Sequence, residues 1–181
     1  AHPRARQRQP REQALAEVEQ TMRVESRYCA RVYRYALVGD VLCVEMPYYK
    51  GGTLTKLLAK LGRPPEPLLR RWYLQIAEGV ADLHAQKCAH RDLKCDNIFC
   101  TSADPEYADV LLGDLGLAVR LDSSDATIHE YAGTPATMAP EVAAKGPYGL
   151  KCDVWSLACV FFQIATGQLP DWQERNLDSL V

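Results

Sequence analysis

Asp92, Lys94, Asn97 and Asp114 are the residues of this chain whose types and spacing best suit chemistry. The stretch reads His90-Arg91-Asp92-Leu93-Lys94-Cys95-Asp96-Asn97, and Asp114-Leu115-Gly116 begins seventeen residues after Asn97. Asp92 offers a carboxylate to accept the proton of an attacking hydroxyl. Asn97 and Asp114 offer the hard oxygen ligands that magnesium prefers. Lys94, two residues past Asp92, adds a cation for a transferring phosphate. Together they suit phosphoryl transfer, whose catalysis is almost entirely positioning and charge neutralisation. Asp and Asn also commonly satisfy turns, so it is their order and spacing that favour chemistry.

Such a set must be held by regular elements on either side. Leu69, Trp72, Tyr73, Ile76, Val80 and Leu83 recur at helical spacing and predict a helix over 68–85 that leads into the polar stretch. Residues 98–100 and 110–112 read as short strands flanking a polar loop, which puts the chemistry at the ends of a rigid scaffold. Upstream, Ala14, Leu15, Val18 and Met22 predict a helix over 12–25. Residues 32–36 and 41–46 are apolar and β-branched, with Val38-Gly39-Asp40 as a hairpin turn. Gly51-Gly52 precedes a short helix over 54–61, and Pro64, Pro65 and Pro67 punctuate a loop. Residues 117–140 are polar. Residues 152–166 are apolar nearly all round, which predicts a fully buried helix.

With 181 residues, 48% of them hydrophobic, the chain is able to build a sizeable core. A net charge of −2 gives no electrostatic case for nucleic acid or a membrane surface. Seven cysteines occur without a C-x-x-C pair, so neither a zinc site nor a disulfide framework is expected. No apolar core marks a signal at residues 1–13, despite Arg4, Arg6, Arg8 and Arg11. The longest apolar run is shorter than the ~20 residues a membrane helix needs. The composition predicts a soluble, cytoplasmic protein.

The stretch 90–97 with Asp114-Leu115-Gly116 resembles the eukaryotic protein kinases, whose catalytic loop reads H-R-D-L-x-x-x-N and whose metal motif is usually D-F-G. Gly133-Thr134-Pro135, Met138-Ala139-Pro140-Glu141 and Asp153-Val154-Trp155-Ser156-Leu157 follow in that family's order. The D-L-G form and its surroundings are similar to the with-no-lysine and NIMA-related groups. The resemblance implies an α+β, protein-kinase-like fold. Residues 1–46 would be a partial N-lobe (the family's αC helix and strands 4–5), 47–52 a hinge, and 53–181 most of a helical C-lobe up to αF. It implies a serine/threonine kinase that moves the γ-phosphoryl of ATP, with Mg2+, to a protein substrate.

The same resemblance implies the roles. Asp92, Lys94, Asn97 and Thr134 would be catalytic, with Asn97 and Asp114 on the metal. Lys94 and Thr134 follow the serine/threonine pattern. Met46 would be the gatekeeper, the backbones of Pro47 and Tyr49 would meet adenine, and Phe99 would lie under its ring; an exposed turn at 46–52 is the competing reading. His90 and Leu115 are expected to pack rather than react. Glu17 is the candidate αC glutamate that pairs with an ATP-anchoring lysine, although Glu12, Glu19 and Glu25 nearby fit a solvated helix face equally. Glu130 is a candidate partner for Arg91, with Ser123, Ser124 and Thr127 as competing phosphosites. A pseudokinase or regulatory binding module is the alternative function.

The first lysine is Lys50, and no G-x-G-x-x-G is present. The resemblance therefore implies a domain incomplete at both ends, with poor solubility. These 181 residues alone are expected to show little or no turnover. A radiometric assay with magnesium-ATP reaching ordinary kinase rates of ~1–100 s⁻¹ would refute that expectation.

Overall fold

The computed structural model describes residues 10–39 and 41–171, with side chains throughout except at 10–13, 16 and 17. Helix α1 (Pro10–Met22) precedes the antiparallel hairpin β1 (Arg34–Val38) and β2 (Val41–Glu45). Val38 pairs with Val41, so the turn is two residues and Gly39 takes a left-handed φ of 61°. That register starts the first strand two residues later than expected.

The next elements are β3 (Gly52–Thr53), α2 (Leu54–Leu61), α3 (Glu66–Ala85) and β4 (Cys88–Ala89). After them come β5 (Ile98–Cys100), β6 (Val110–Leu112), β7 (Val119–Arg120), α4 (Pro140–Ala143) and α5 (Cys152–Thr166). Antiparallel pairing joins β3, β5 and β6 into one sheet and β4 with β7 into another. Helix α3 begins two residues earlier than its apolar pattern, because Pro65 caps it and Pro67 is tolerated in a first turn with no N–H partner to lose.

Two apolar clusters hold these elements. The larger gathers Leu54 and Leu57 of α2, Trp72, Ile76 and Leu83 of α3, Ile98, Leu112 and the inner face of α5. The smaller holds Ala89, Ile128, Met138, Val142 and Tyr148. The chain crosses from the smaller to the larger between Ala89 and Leu93, so the polar stretch is clamped at the seam. Tyr73 ties α3 to α5: its ring stacks on Phe161 at 4.1 Å and its hydroxyl donates to the Phe161 carbonyl.

Helix α5 corrects the expectation of complete burial. Cys152, Asp153, Ser156, Cys159, Val160 and Ile164 are buried. Val154 and Phe162, eight residues apart on one stripe, are 54% and 42% exposed. An all-apolar helix does not say which of its faces is covered. The cysteines fit the sequence reading: all seven are free and six are buried. Burial pushes the Cys29, Cys95 and Cys100 thiols up to about 12, so they pack as small hydrophobes. Among the described residues no helix is long and apolar enough to cross a membrane.

Trp72 has no exposure, and its indole N–H donates to the Ala108 carbonyl at 2.9 Å. Trp72→Ala is expected to cost about 3–5 kcal/mol by opening a cavity and leaving the Ala108 carbonyl with Arg71 Nη2, at 3.1 Å, as its remaining donor. Trp72→Phe should cost less. Urea denaturation in which Trp72→Ala matches the parent midpoint would refute this packing account.

Candidate active site

The polar stretch is shaped by a carboxylate it does not contain. Asp153, near the start of α5, is fully buried. Its two oxygens accept the backbone N–H groups of His90 and Arg91, both at 2.8 Å, and His84 of α3 approaches at 2.9 Å. Burial alone would raise this carboxyl, but the His84 contact and the His90 and Arg91 bonds hold it below the ordinary carboxylate range. The two N–H bonds fix Arg91 in a left-handed backbone, φ 68°, that a non-glycine residue seldom adopts. His90 is also fully buried. Its Nδ1 accepts the Asp92 N–H, which leaves Nε2 to donate to the Gly113 carbonyl at 3.1 Å. It packs and orients, as expected.

Asp92, Lys94, Asn97 and Thr134 meet in one network. Asp92 Oδ2 accepts from Lys94 Nζ at 2.8 Å and Asn97 Nδ2 at 2.9 Å. Asp92 Oδ1 accepts the Thr134 hydroxyl at 2.6 Å. Lys94 also donates to Thr134 Oγ1 at 2.7 Å, closing a ring across 40 residues of sequence. Burial would raise the Asp92 carboxyl, but bonds from Lys94, Thr134 and Asn97 outweigh it and hold it below the usual value. A carboxylate offers about four lone-pair sites. Oδ2 has two donors and Oδ1 one, so Oδ1 keeps the capacity to accept another proton donor. Gly133 is what lets Thr134 in: a Cβ there would sit 2.4 Å from the Arg91 carbonyl oxygen, and its φ is 113°.

Asn97 and Asp114 line a shared cleft of about 390 Å³ whose other walls include Val18 and Thr21 of α1, Ala30, Met46 and Phe99. The Asn97 amide nitrogen is committed to Asp92, which leaves its side-chain oxygen available as a ligand atom. Asp114 is exposed, left-handed at φ 51°, and among the described residues its Oδ1 accepts only the Gly116 N–H, at 3.4 Å. The Gly113 N–H bonds the Asn97 carbonyl at 2.7 Å and couples the two loops. Leu115 is buried, as its packing role requires. Among the described residues no three His, Cys, Asp or Glu side chains could hold a metal by themselves. Magnesium suits such a site, since it usually takes one or two protein oxygens and completes its shell from phosphates and water.

At 46–52 the chain turns beside this cleft. The Pro47 carbonyl and the Tyr49 N–H bond no described residue, while the Tyr49 carbonyl accepts the Gly52 N–H. The Tyr49 ring stacks face to face on Phe99, centroids 5.1 Å apart, so one face of Phe99 is already covered. Glu17 lies within α1, but its side chain is outside the described residues. Ala30, Val32 and Val18 line the cleft although the sequence suggested no site role for them; His84 and Tyr148 went unassigned, and Asp153 entered only as the first residue of the motif 153–157, without a role. A lone carboxylate inside an apolar helix was the available signal for Asp153.

Comparison with known proteins agrees with this geometry. The family model described as the protein kinase domain matches residues 2–180. CBL-interacting protein kinase 30 of Oryza sativa subsp. japonica is 35% identical over 170 residues, which are 92% of this chain and 34% of that protein. Serine/threonine-protein kinase Nek3 of the same organism is 33% identical over 175 residues, 94% of the chain and 29% of the relative. Mitogen-activated protein kinase kinase kinase 3 of Mus musculus is 38% identical over 137 residues, 74% and 21% respectively. The chain thus spans about a third or less of the length of these relatives.

Asp92 and Asp153 both have depressed carboxyls relative to the ordinary 3.8. Below 3.8 the unfolded chain binds protons that the folded chain resists. Their stabilisation is therefore complete above that pH and lost as pH falls through the lower folded values. Melting temperature should fall with acidification in that window, and Asp153→Asn should flatten the slope. An unchanged slope in Asp153→Asn would count against the assignment.

Proposed function

Because the chain belongs to the protein kinase domain family, we propose that it is the catalytic part of a serine/threonine protein kinase that phosphorylates a protein hydroxyl. The observation that carries this reading is the closed network of Asp92, Lys94, Asn97 and Thr134 beside the exposed Asp114. The names of the relatives, among them a serine/threonine-protein kinase and a mitogen-activated protein kinase kinase kinase, support it. So does Thr134, whose hydroxyl bridges the base and the lysine.

ATP and Mg2+ are the cofactors this site suits. The cleft volume of about 390 Å³ lies within the ~300–1,000 Å³ usual for small-molecule sites. Met46, Ala30, Val32 and Phe99 would receive the base, with the Pro47 carbonyl and the Tyr49 N–H as its hydrogen-bonding groups. The Asn97 oxygen and Asp114 would hold the metal. When bound, magnesium-ATP supplies the γ-phosphoryl group and neutralises phosphate charge. The chain's own contribution is to position. Lys94 offers its ammonium beside the acceptor site while neutralising Asp92. Asp92 Oδ1 receives the hydrogen bond of the substrate hydroxyl and orients it. A carboxyl held below the ordinary range is a weak base, so proton uptake by Asp92 belongs late in the transfer, in keeping with a loose transition state. Residues 1–46 would then form part of the N-lobe and 53–181 part of the C-lobe, with 47–52 as hinge.

In the full-length protein, Asp92→Asn should lower kcat for phosphorylation of a serine or threonine peptide by roughly 10²–10⁴, the usual weight of one acid–base group. Asp114→Ala should raise the magnesium concentration needed for half-maximal nucleotide binding. Parental turnover in Asp92→Asn would overturn the reading.

A further inference from the structure

Arg91 stands next to Asp92 but takes no part in its network. Its guanidinium side chain is only 5% exposed and points the other way, toward residues 117–148. There it donates to the Leu117 carbonyl, to Glu130 Oε2 at 2.8 Å and to the Tyr148 hydroxyl at 3.3 Å. Among the described residues, Glu130 is the only carboxylate within ion-pair distance of it. The Tyr148 hydroxyl in turn donates to the Glu130 carbonyl at 2.6 Å. Just before it, Ile128 and Tyr148 exchange backbone bonds of 2.7 and 3.1 Å. Tyr148 is 4% exposed, so this corner is built, whereas the Glu130 side chain is 69% exposed and reaches in from outside.

A cation this buried needs an anion, because removing one partner of a buried pair leaves an uncompensated charge. Burial pulls the Arg91 pKa down, yet the Glu130 and Tyr148 bonds outweigh it and leave it above its usual value. After Leu117 the segment is anchored at Ala118 and Leu121 and again at Ile128, and between these anchors Ser123, Ser124, Asp125 and Thr127 are all exposed. Among the described residues the Thr127 hydroxyl bonds only His129, and neither it nor the two serines reaches Arg91. The place beside Arg91 is filled by a carboxylate of the chain itself.

We propose that Glu130 and Tyr148 are positioning residues which, through Arg91, hold the 117–134 segment and Thr134 in working register without covalent modification of that segment. The inference rests on the kinase reading and adds its regulation: activity would not require phosphorylation of residues 117–134. Glu130 fixes the guanidinium by charge. Tyr148 fixes the geometry, because it accepts from Arg91 and donates to the main chain of Glu130.

The test uses the full-length protein, treated with a broad-specificity phosphatase until mass spectrometry finds no phosphate on 117–134. The treated protein should keep kcat within about twofold of the untreated one, as should the triple variant Ser123→Ala, Ser124→Ala, Thr127→Ala. Glu130→Ala and Glu130→Gln should lower kcat by about tenfold or more, the scale of a misplaced catalytic group, with KM for ATP nearly unmoved. Glu130→Asp should recover most of the rate, and Tyr148→Phe should lose several-fold. Loss of activity on phosphatase treatment, or full kcat in Glu130→Ala, overturns the proposal. If the untreated protein has no turnover at all, the kinase reading fails instead, and protease nicking between 117 and 134 still decides the clamp. Glu130→Ala should be cut faster and Glu130→Asp at the parental rate; equal rates in all three would refute it.

Discussion

The buried carboxylate of Asp153 is the constraint on which the rest of the site depends. A charge without exposure is tolerable only when every oxygen has donors, and here the donors are main-chain N–H groups of His90 and Arg91 together with His84. Because α5 is packed into the larger core through Val160 and Ile164, its position is set by apolar contacts. The polar stretch is then hung from it by hydrogen bonds. The long-range order runs from core to helix to carboxylate to loop backbone.

The positive φ of Arg91 follows from this suspension and does the geometric work. In the left-handed turn, Asp92 faces Lys94, Thr134 and Asn97, while Arg91 faces Leu117, Glu130 and Tyr148. Adjacent opposite charges thus avoid pairing with each other. Each instead recruits a partner about 40 residues away, and two separate pieces of the 117–148 segment are tied to one short loop. Gly133 permits the closest of these approaches, since any Cβ there would collide with the Arg91 carbonyl.

The sequence exposed the site more fully than the framework that suspends it. Spacing alone brought Asp92, Lys94 and Asn97 together, because their separation is short enough for one loop to decide it. Helix α3 was legible from apolar periodicity, α5 from a run that is apolar nearly all round, α2 from the Gly51-Gly52 break before it, and β5 and β6 from two short runs around a polar loop. Strands β3, β4 and β7 were not, since two-residue pairings leave no periodicity to read. Tyr148 was invisible for another reason: its value lies in a hydroxyl that meets Arg91 across 57 positions of sequence. Burial direction in α5 was also beyond pattern reading, because Val154 and Val160 are the same residue type with opposite exposures.

The pairing pattern sets the charge that the site presents. Asp92 is balanced by Lys94 and Arg91 by Glu130, so the inner network is close to neutral before anything binds. Asp153 is compensated by two N–H dipoles and His84. What remains toward the cleft are the carboxylates of Asp114 and Asp96, both exposed and, among the described residues, neither in an ion pair. A polyphosphate alone would meet repulsion there, whereas a divalent cation would be attracted, and a cation that brings phosphates with it would convert the same carboxylates from barrier to ligand. Neutralising the interior while leaving the rim negative would therefore favour a metal and a phosphate that arrive as one unit. The residues that enforce this are those that keep Arg91 and Lys94 occupied elsewhere.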